Sequence, residues 1–257
     1  MFDVLTITSP IYIIVGLGFV FTRAGLFAKP DMRLFGKFVI NLALPALVFR
    51  ALSQRQLSEV LNPGYLVAYT VGALAVVGLG YTWARRLGGH NATASTFLAM
   101  GMSSSNSGFV GYPIMLLTLA PMAGVVLALN MLVENLVVIP LLLWLAERAK
   151  GTGDPWRALT QSLVRLATNP LFLALAAGLV ISATGWQLPA PVTRSIDLLA
   201  SASGALSLFV IGGTLVGLPL AGMGQRVMPV VLGKLLVHPL LVWGAVSALP
   251  WLGLDLS

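Results

Sequence analysis

The sequence contains no cysteine and very little charge. Its 257 residues include two histidines and only 9% charged side chains, whereas 58% belong to the hydrophobic set. Soluble domains carry about 25% charged residues, so this composition excludes an ordinary water-soluble fold. The absence of cysteine excludes disulfides, thiolate metal ligands and cysteine nucleophiles, and the isolated His90 and His238 offer no metal-ligand motif. The composition therefore indicates a polytopic membrane protein.

Long uncharged segments divide the chain into membrane spans. A bilayer core about 30 Å thick requires roughly 20 apolar helical residues, and the stretches between ionisable residues supply most of these lengths. The shortest stretch, between Lys37 and Arg50, still qualifies because basic side chains at helix ends can extend to the interface. The sequence predicts eight helices, at residues 4–22, 34–52, 64–84, 93–119, 122–146, 162–183, 193–218 and 227–250.

The basic residues indicate how these spans are oriented. With the N-terminus outside, twelve of the 15 Lys and Arg residues fall in or beside inner connections, and three, Arg50, Arg55 and Arg194, fall outside. This asymmetry follows the positive-inside rule and predicts a multi-pass protein of the inner (plasma) membrane. The basic residues are dispersed among loops without interleaved aromatic residues, which excludes a nucleic-acid partner.

One long connection, from Glu147 to Gln161, separates five spans from three. It begins as a polar linker, and Asp154-Pro155 within it predicts a helix N-cap followed by proline at the first helical position. The sequence therefore predicts a five-helix section at residues 1–148, a cytoplasmic linker at 149–161 and a three-helix section at 162–257.

The fourth span carries the most informative pattern. Its residues 105–113 read SNSGFVGYP, which places two glycines and a proline at the centre of the crossing. A helix break at that depth requires burial in protein or a water-lined cavity. Pro113 suits the first turn of a new half-helix, whose N-terminus carries roughly +0.5 charge and attracts an anion such as a carboxylate. A proline kink whose freed backbone groups bond to neighbouring serines is the alternative.

Glu134 lies near the middle of the fifth span, beside Asn135. A charged residue at a helix centre costs about 2.5–3.5 kcal/mol on insertion scales, so this carboxylate needs a partner, a proton or water. Glu134 and Asn135 are therefore candidates for proton coupling or for lining a cavity. A neutral Glu134 hydrogen-bonded between helices is the alternative. Lys234, near an inner helix end, is expected to extend its amine to the interface.

Weaker polar features occur in three other spans, with His238-Pro239 in the eighth as one of them. Asn41 with Pro45, and Asn169 with Pro170, predict polar kinks in the second and sixth spans. The sequence shows no Ser/His/Asp arrangement, phosphate-binding loop or paired carboxylates. No enzyme activity and no cofactor are therefore expected.

Taken in order, these motifs resemble the auxin efflux carrier family, which includes bacterial malonate- and malate-type permeases. The matching segments run through the whole chain: Asn41 to Pro45, Ser105 to Pro113, Asn135 with Pro140, Asn169-Pro170, residues 208–213, and Lys234 to Pro239. The resemblance implies ten helices in two inverted five-helix repeats, with interrupted fourth and ninth helices crossing at the substrate site. It implies alternating access, in which one helix bundle moves against the other.

By the same resemblance, the substrate contacts come from Asn106 and the backbone from Gly108 to Pro113. The full candidate set is Ser105, Asn106, Ser107, Gly108, Phe109, Val110, Gly111, Tyr112 and Pro113. The expected fold is an all-α integral membrane protein with eight helices and an incomplete second repeat. Since the chain reaches Ser257 after eight spans, the ninth and tenth helices are expected to be missing or to come from another chain.

Residues and resemblance together favour a secondary active transporter of small organic anions, mono- or dicarboxylates such as malonate or malate. The expected partners are that anion and the lipid bilayer, with a homodimer as a possible assembly. Two alternatives stay open. One is a sodium-coupled symporter of the bile-acid type, against which the single acidic Glu134 argues mildly. The other is a truncated, non-transporting membrane subunit.

Overall fold

The computed structural model describes residues 2–57, 62–151, 154–218 and 224–254, and the regular secondary structure within these ranges is helical. In chain order the helices are α1 Phe2–Arg23, α2 Lys29–Ser53, α3 Pro63–Arg86, α4 Ala92–Ser103, α5 (the π turn Ser107–Gly111 continued by Tyr112–Thr118), α6 Ala123–Lys150, α7 Pro155–Ala167, α8 Pro170–Thr184, α9 Ala190–Thr214, and α10 (Gly224–Leu232, Gly233–Val237 and His238–Ala248).

Six helices of the described ranges are long and apolar enough to cross a membrane, and the bent pair α7–α8 makes a seventh candidate. The predicted spans agree closely with α1, α2, α3, α6, α9 and α10. The predicted span at 93–119 consists of two shorter helices, α4 and α5, separated by residues 104–106. Neither half has the roughly 20 residues that a crossing requires, so the count of eight spans stays a prediction.

The sixth span differs from its prediction as a single helix over 162–183. Its residues belong to two helices, α7 and α8. Asn169 accepts a hydrogen bond from the amide of Leu171 (N···O 2.9 Å), and Pro170 occupies the first turn of α8. Asn169 and Pro170 therefore mark the start of α8. The single helix is wrong because a capping asparagine followed by proline starts a new helix rather than bending an old one.

The predicted linker at 149–161 is helical over much of its length. Asp154 caps α7 through a hydrogen bond from the amide of Trp156 (N···O 2.9 Å), with Pro155 in the first turn, as the sequence predicts. α7 therefore starts inside the predicted linker. Thr152 and Gly153 of that linker lie outside the described residues.

Four helices widen into a π turn immediately before a proline. In each, the residue preceding the proline donates its amide to the carbonyl five residues back, where an α-helix would use the fourth. Proline has no N–H and its ring collides with the carbonyl four residues back, so the wider turn accommodates the ring without ending the helix. The four donor–acceptor pairs are Leu44–Val39, Tyr112–Ser107, Ile139–Glu134 and His238–Gly233.

The helices group into two packing units. The described parts of Met1–Val60, Asn106–Ala128 and Asn169–Pro219 form unit 1, and those of Leu61–Ser105, Leu129–Thr168 and Leu220–Ser257 form unit 2. The units interleave along the chain, which passes from unit 2 to unit 1 between Ser105 and Asn106. The repeat sections at 1–148 and 162–257 stay a prediction.

Unit 1 is built around the close approach of α1 and α9. A Cβ added to Gly18 would overlap the carbonyl of Phe209, and one added to Gly212 would overlap the carbonyl of Val15. Glycine at both positions therefore lets the two backbones touch. Beside this contact, the rings of Phe27 and Phe35 pack edge-on against Phe209, with centroids 5.3 Å and 6.3 Å away, a favourable aromatic geometry.

Unit 2 has its apolar core between α3, α4 and α6. Its buried members are Tyr69, Ala73, Val77, Ala99, Val133, Val138 and Leu142. Three small residues spaced four apart on α4, Ser95, Ala99 and Ser103, form a stripe that faces inward, since all three are fully buried. The hydroxyls of Ser95 and Ser103 bond to carbonyls one turn back on their own chain, so the stripe serves packing. Polar side chains of α3, α6 and α10 are also buried in unit 2, among them Tyr69, Glu134 and His238.

Candidate functional site

The predicted fourth span is interrupted between Ser103, where α4 ends, and Ser107, where α5 begins. α4 ends at Ser103, Ser104 has an extended backbone (φ −82°, ψ 119°), and a helical turn resumes at Ser107. The predicted unwinding of this crossing is confirmed. Its position is corrected: the sequence points to the backbone from Gly108 to Pro113, whereas the break lies at residues 104–106. The proline does not cause the break because the π turn accommodates its ring.

Asn106 is the N-cap of α5 and is exposed. Its side-chain oxygen accepts a hydrogen bond from the amide of Phe109 (N···O 3.4 Å), and its carbonyl accepts from the amides of Val110 and Gly111, both at 3.0 Å. These three amides of the candidate substrate site are therefore occupied within α5. Among the described residues, the side-chain amide of Asn106 and the first-turn amide of Gly108 are the donors here that we consider for a guest.

Two charged side chains bind the peptide group between Ser104 and Ser105. Lys234 Nζ donates to the carbonyl of Ser104, and the amide of Ser105 donates to Glu134 Oε1 at 3.1 Å. Both backbone groups belong to one peptide group, so an ammonium binds one end and a carboxylate the other. This satisfies the backbone groups that the break removes from the helix. Lys234 therefore does not extend to the interface, contrary to its prediction.

Glu134 lies in the π turn of α6, in the middle of the crossing, as the sequence predicts. Its side chain is only 6% exposed, and a buried carboxylate is stable when it is paired and hydrogen-bonded. Tyr69 supplies a second donor through its hydroxyl (O···O 2.9 Å). One turn earlier on α3, the hydroxyl of Tyr65 donates to Asn130 at 2.6 Å. The two stacked tyrosines therefore bind polar side chains of α6.

His238 packs against the ring of Tyr69, with centroids 5.8 Å apart, and is almost fully buried. Its Nε2 atom and the hydroxyl oxygen of Ser104 are buried without a hydrogen-bond partner among the described residues. Tyr69, Glu134 and His238 thus bring three titratable side chains into the interior of unit 2, and the half-buried Lys234 joins them at the carbonyl of Ser104.

Unit 1 contains two cavities lined by arginine. Arg50 forms an ion pair with Asp197 (N···O 3.7 Å) in a cavity of about 480 Å³. A second cavity of about 390 Å³ is lined by Arg50, Arg55 and Tyr112, the last of which belongs to α5. The sequence assigns these arginines to topology alone. The structure adds a cationic cavity beside a residue of the candidate substrate site.

The other candidate residues have local partners or buried backbones. The side-chain amide of Asn135 donates to the carbonyl of Met131 (2.7 Å), and that of Asn41 to the carbonyl of Lys37 (2.8 Å), so both bond to their own helices. In α2 the predicted polar kink takes the form of a π turn ahead of Pro45. In α5 the buried candidates are Ser107, Gly108, Tyr112 and Pro113, and the half-buried ones are Phe109, Val110 and Gly111.

Sequence reasoning missed the residues that come from distant helices. Lys234 gave a detectable signal, since it lies two turns inside a predicted span, deeper than an interfacial lysine needs to be. Tyr69 and Arg50 gave none, because tyrosine and arginine near span ends are ordinary features of membrane proteins. Within the described residues, no three His, Asp or Glu side chains group as a metal site.

The long apolar helices define a polytopic membrane protein, and interrupted helices are a recurring feature of secondary transporters. A family model described as "Membrane transport protein" matches residues 3–254, and the chain belongs to that family. The resemblance to the auxin efflux carriers is thereby confirmed.

Individual relatives are distant in sequence. A Rhizobium meliloti (strain 1021) protein named "Putative malonate transporter" is 25% identical over 96% of this chain and 78% of its own length. The Escherichia coli (strain K12) "Uncharacterized transporter YfdV" is 24% identical over 80% of this chain and 67% of its own. A Methanothermobacter thermautotrophicus "Uncharacterized transporter" is 32% identical over 40% of this chain and 34% of its own.

Proposed function

We propose that this protein is a secondary active carrier of small organic anions, mono- or dicarboxylates of the size of malonate or malate, that works by alternating access. The observation that carries the proposal is the start of α5 at Asn106, within the fourth crossing. A helix N-terminus at that depth favours a negative charge and offers amide donors to it. The family and the name of the Rhizobium relative support the same substrate class.

Recognition of the anion rests on donors and positive charge. The side-chain amide of Asn106 and the amide of Gly108 would donate to one carboxylate. Arg50 and Arg55, in the cavity that Tyr112 also lines, would attract a second carboxylate, because arginine binds carboxylates in a bidentate geometry. This arrangement favours a dicarboxylate over a neutral solute.

Glu134 is proposed as the group that couples transport to protons, with Asn135 beside it in the same π turn. A buried carboxylate at membrane depth is typical of proton relays in carriers. Replacing it with glutamine, which keeps the shape and cannot ionise, is expected to abolish accumulation against a gradient while exchange across the membrane continues.

The proposal includes the topology that the charges favour. It comprises eight spans in the inner membrane with the N-terminus outside, a five-helix repeat at 1–148 and part of an inverted second repeat at 162–257, with a homodimer as the assembly. Twelve basic residues on the inner side against three on the outer side support this orientation.

Uptake of radiolabelled malonate by proteoliposomes tests the anion site. Asn106→Asp keeps an oxygen that caps α5 but replaces the amide donor with a negative charge. We expect it to reduce uptake by roughly tenfold or more, since a lost charge-assisted hydrogen bond is worth about 1.5–3 kcal/mol. Asn62→Asp is the matched control, because Asn62 caps α3 through the amide of Tyr65 in the same way.

Unchanged malonate uptake by Asn106→Asp would remove Asn106 from the site. Absence of uptake for every mono- and dicarboxylate tested, with correctly folded protein, would favour a non-transporting membrane subunit instead.

A further inference from the structure

The peptide group between Ser104 and Ser105 is bound at both ends by opposite charges. Its carbonyl accepts from Lys234 Nζ, and its N–H donates to Glu134 Oε1. Lys234 comes from the π turn of α10 and Glu134 from the π turn of α6. The two side chains are therefore separated by a single peptide group, and each neutralises the field of the other within unit 2.

The carbonyl end of α4 is where a cation is favoured. The last carbonyls of a helix lack intrahelical partners and carry the negative end of the helix dipole. In carriers with broken helices, unwound carbonyls and half-helix C-terminal ends coordinate the transported Na⁺. Here the side chain of Lys234 reaches that position, and its ammonium carries the same unit charge as Na⁺.

We propose that Lys234 is the resident cation of the break: its ammonium occupies the position of a transported sodium ion, so this carrier needs no sodium. The inference rests on the proposed carrier function, and it states that sodium is not the ion that drives transport. It also gives the buried Glu134 a positively charged neighbour, because the ammonium of Lys234 binds the other end of the same peptide group.

Removal of the ammonium would leave a set of oxygen ligands. Three oxygen groups would remain: the carbonyl of Ser104, the hydroxyl of Ser104 and the carboxylate of Glu134. The hydroxyl is buried and has no hydrogen-bond partner among the described residues. Carbonyl, hydroxyl and carboxylate oxygens are the ligands that hard cations prefer. A variant without Lys234 is therefore expected to acquire a sodium response that the natural protein lacks.

Thermal unfolding of the purified protein in detergent tests this directly, in sodium, potassium or choline chloride at equal ionic strength. We expect the unfolding temperature of the natural protein to be the same in all three salts. Lys234→Ala should unfold at a lower temperature in choline, and sodium should raise its unfolding temperature by about 2–4 °C or more in a saturable way. Lys37→Ala, at an exposed lysine of α2, is the matched control and should behave like the natural protein.

Two further variants separate the cation role from general instability. Lys234→Arg keeps the positive charge and should show no sodium response. The double variant Lys234→Ala with Glu134→Gln removes both charges and should lose the sodium response of the single variant. If Lys234→Ala does not fold, the natural protein and Lys234→Arg still decide the question, because sodium-specific stabilisation of either would overturn the proposal.

Malonate uptake in sodium and choline media separates this inference from the proposed function. Equal uptake in the two media supports both. Uptake that requires a sodium gradient overturns the role of Lys234 and leaves the carrier function standing. If no organic anion is taken up, the carrier function fails, and the unfolding temperatures alone decide whether Lys234 replaces a bound cation.

Discussion

The predicted fourth and fifth spans both contain a π turn followed by proline. Of these two, the helix is broken in the predicted fourth span and continuous in the fifth. In α6 the helix continues from the π turn through Pro140 to Lys150. In the fourth crossing the chain loses helical structure at 104–106, ahead of the π turn that precedes Pro113. The proline is common to both spans, so it does not explain why one helix is broken and the other is continuous.

The difference lies in what binds the backbone upstream of each π turn. In the fourth crossing, charged side chains from two other helices bind the peptide group after Ser104. In the fifth, the backbone keeps its own helical bonds. A proline widens a membrane helix, whereas a break requires partners from elsewhere for the freed carbonyl and N–H. The comparison yields four predictions, in order of decreasing effect.

The largest effect is expected from Glu134→Ala. The substitution leaves the amide of Ser105, the hydroxyl of Tyr69 and the ammonium of Lys234 without their acidic partner. We expect the free energy of unfolding to fall by about 3–5 kcal/mol, as when one member of a buried ion pair is removed. Glu147→Ala, which breaks an exposed ion pair with Lys150, should cost at most about 1 kcal/mol. Denaturation in mild detergent measures both, and equal losses would contradict the role of Glu134.

An intermediate effect is expected from Tyr69→Phe. Its hydroxyl donates to a carboxylate, so its loss should cost about 1.5–3 kcal/mol, whereas Tyr65→Phe loses a bond to the neutral Asn130 and should cost about 0.5–1.5 kcal/mol. The two residues lie one turn apart on α3, which makes them a matched pair. A larger loss from Tyr65→Phe in the same denaturation measurement would refute the ranking.

Replacement of either proline by alanine is expected to have a smaller effect on the free energy of unfolding. Pro113→Ala and Pro140→Ala should each change the free energy of unfolding by less than about 1 kcal/mol, because the π turn already accommodates the ring; a strained proline in a regular helix costs about 3 kcal/mol. The break should also persist in Pro113→Ala. Since the chain has no cysteine, maleimide labelling of Asn106→Cys reports on it without background. Slower labelling in the Pro113→Ala background would show that proline does hold the crossing open.

The smallest effect is expected from Asn135→Ala. Its side-chain amide bonds only to a carbonyl of its own helix in the described structure, and such local bonds contribute little. We expect a change within about 0.5 kcal/mol in the same unfolding measurement. A loss comparable to that of Tyr69→Phe would mean that Asn135 belongs to the hydrogen-bond network of Glu134.

The sequence predicts the straight helices well because their ends are fixed by charge and length, which are local properties. The caps at Asp154 and Asn169 follow from local residue order in the same way. The break could be predicted in the fourth crossing and not at its exact residues. Its position depends on Glu134, 29 residues downstream, and Lys234, 130 residues downstream, which no local pattern connects.

In the candidate site, too, the sequence indicates the residues with a local signal and does not indicate those placed by tertiary packing. Glu134 was identified because a carboxylate at mid-span requires a partner wherever that partner is. A sequence cannot show which backbone amides of α5 are already bonded, and here those of Phe109, Val110 and Gly111 donate to Asn106. Tyr69 lies at the site because α3 packs there, and Lys234 because α10 does. Contacts between side chains of different helices depend on tertiary structure, which a local sequence pattern does not show.

Each π turn also shifts the rotational phase of the helix that follows it. One extra residue enters the turn, so the side chains beyond it are rotated by about 100° relative to an uninterrupted helix. Residues on opposite sides of the π turn at Glu134–Val138 therefore cannot be assigned to a common face by counting in steps of three or four. Any comparison of helix faces within α2, α6 or α10 has to restart its register after the proline.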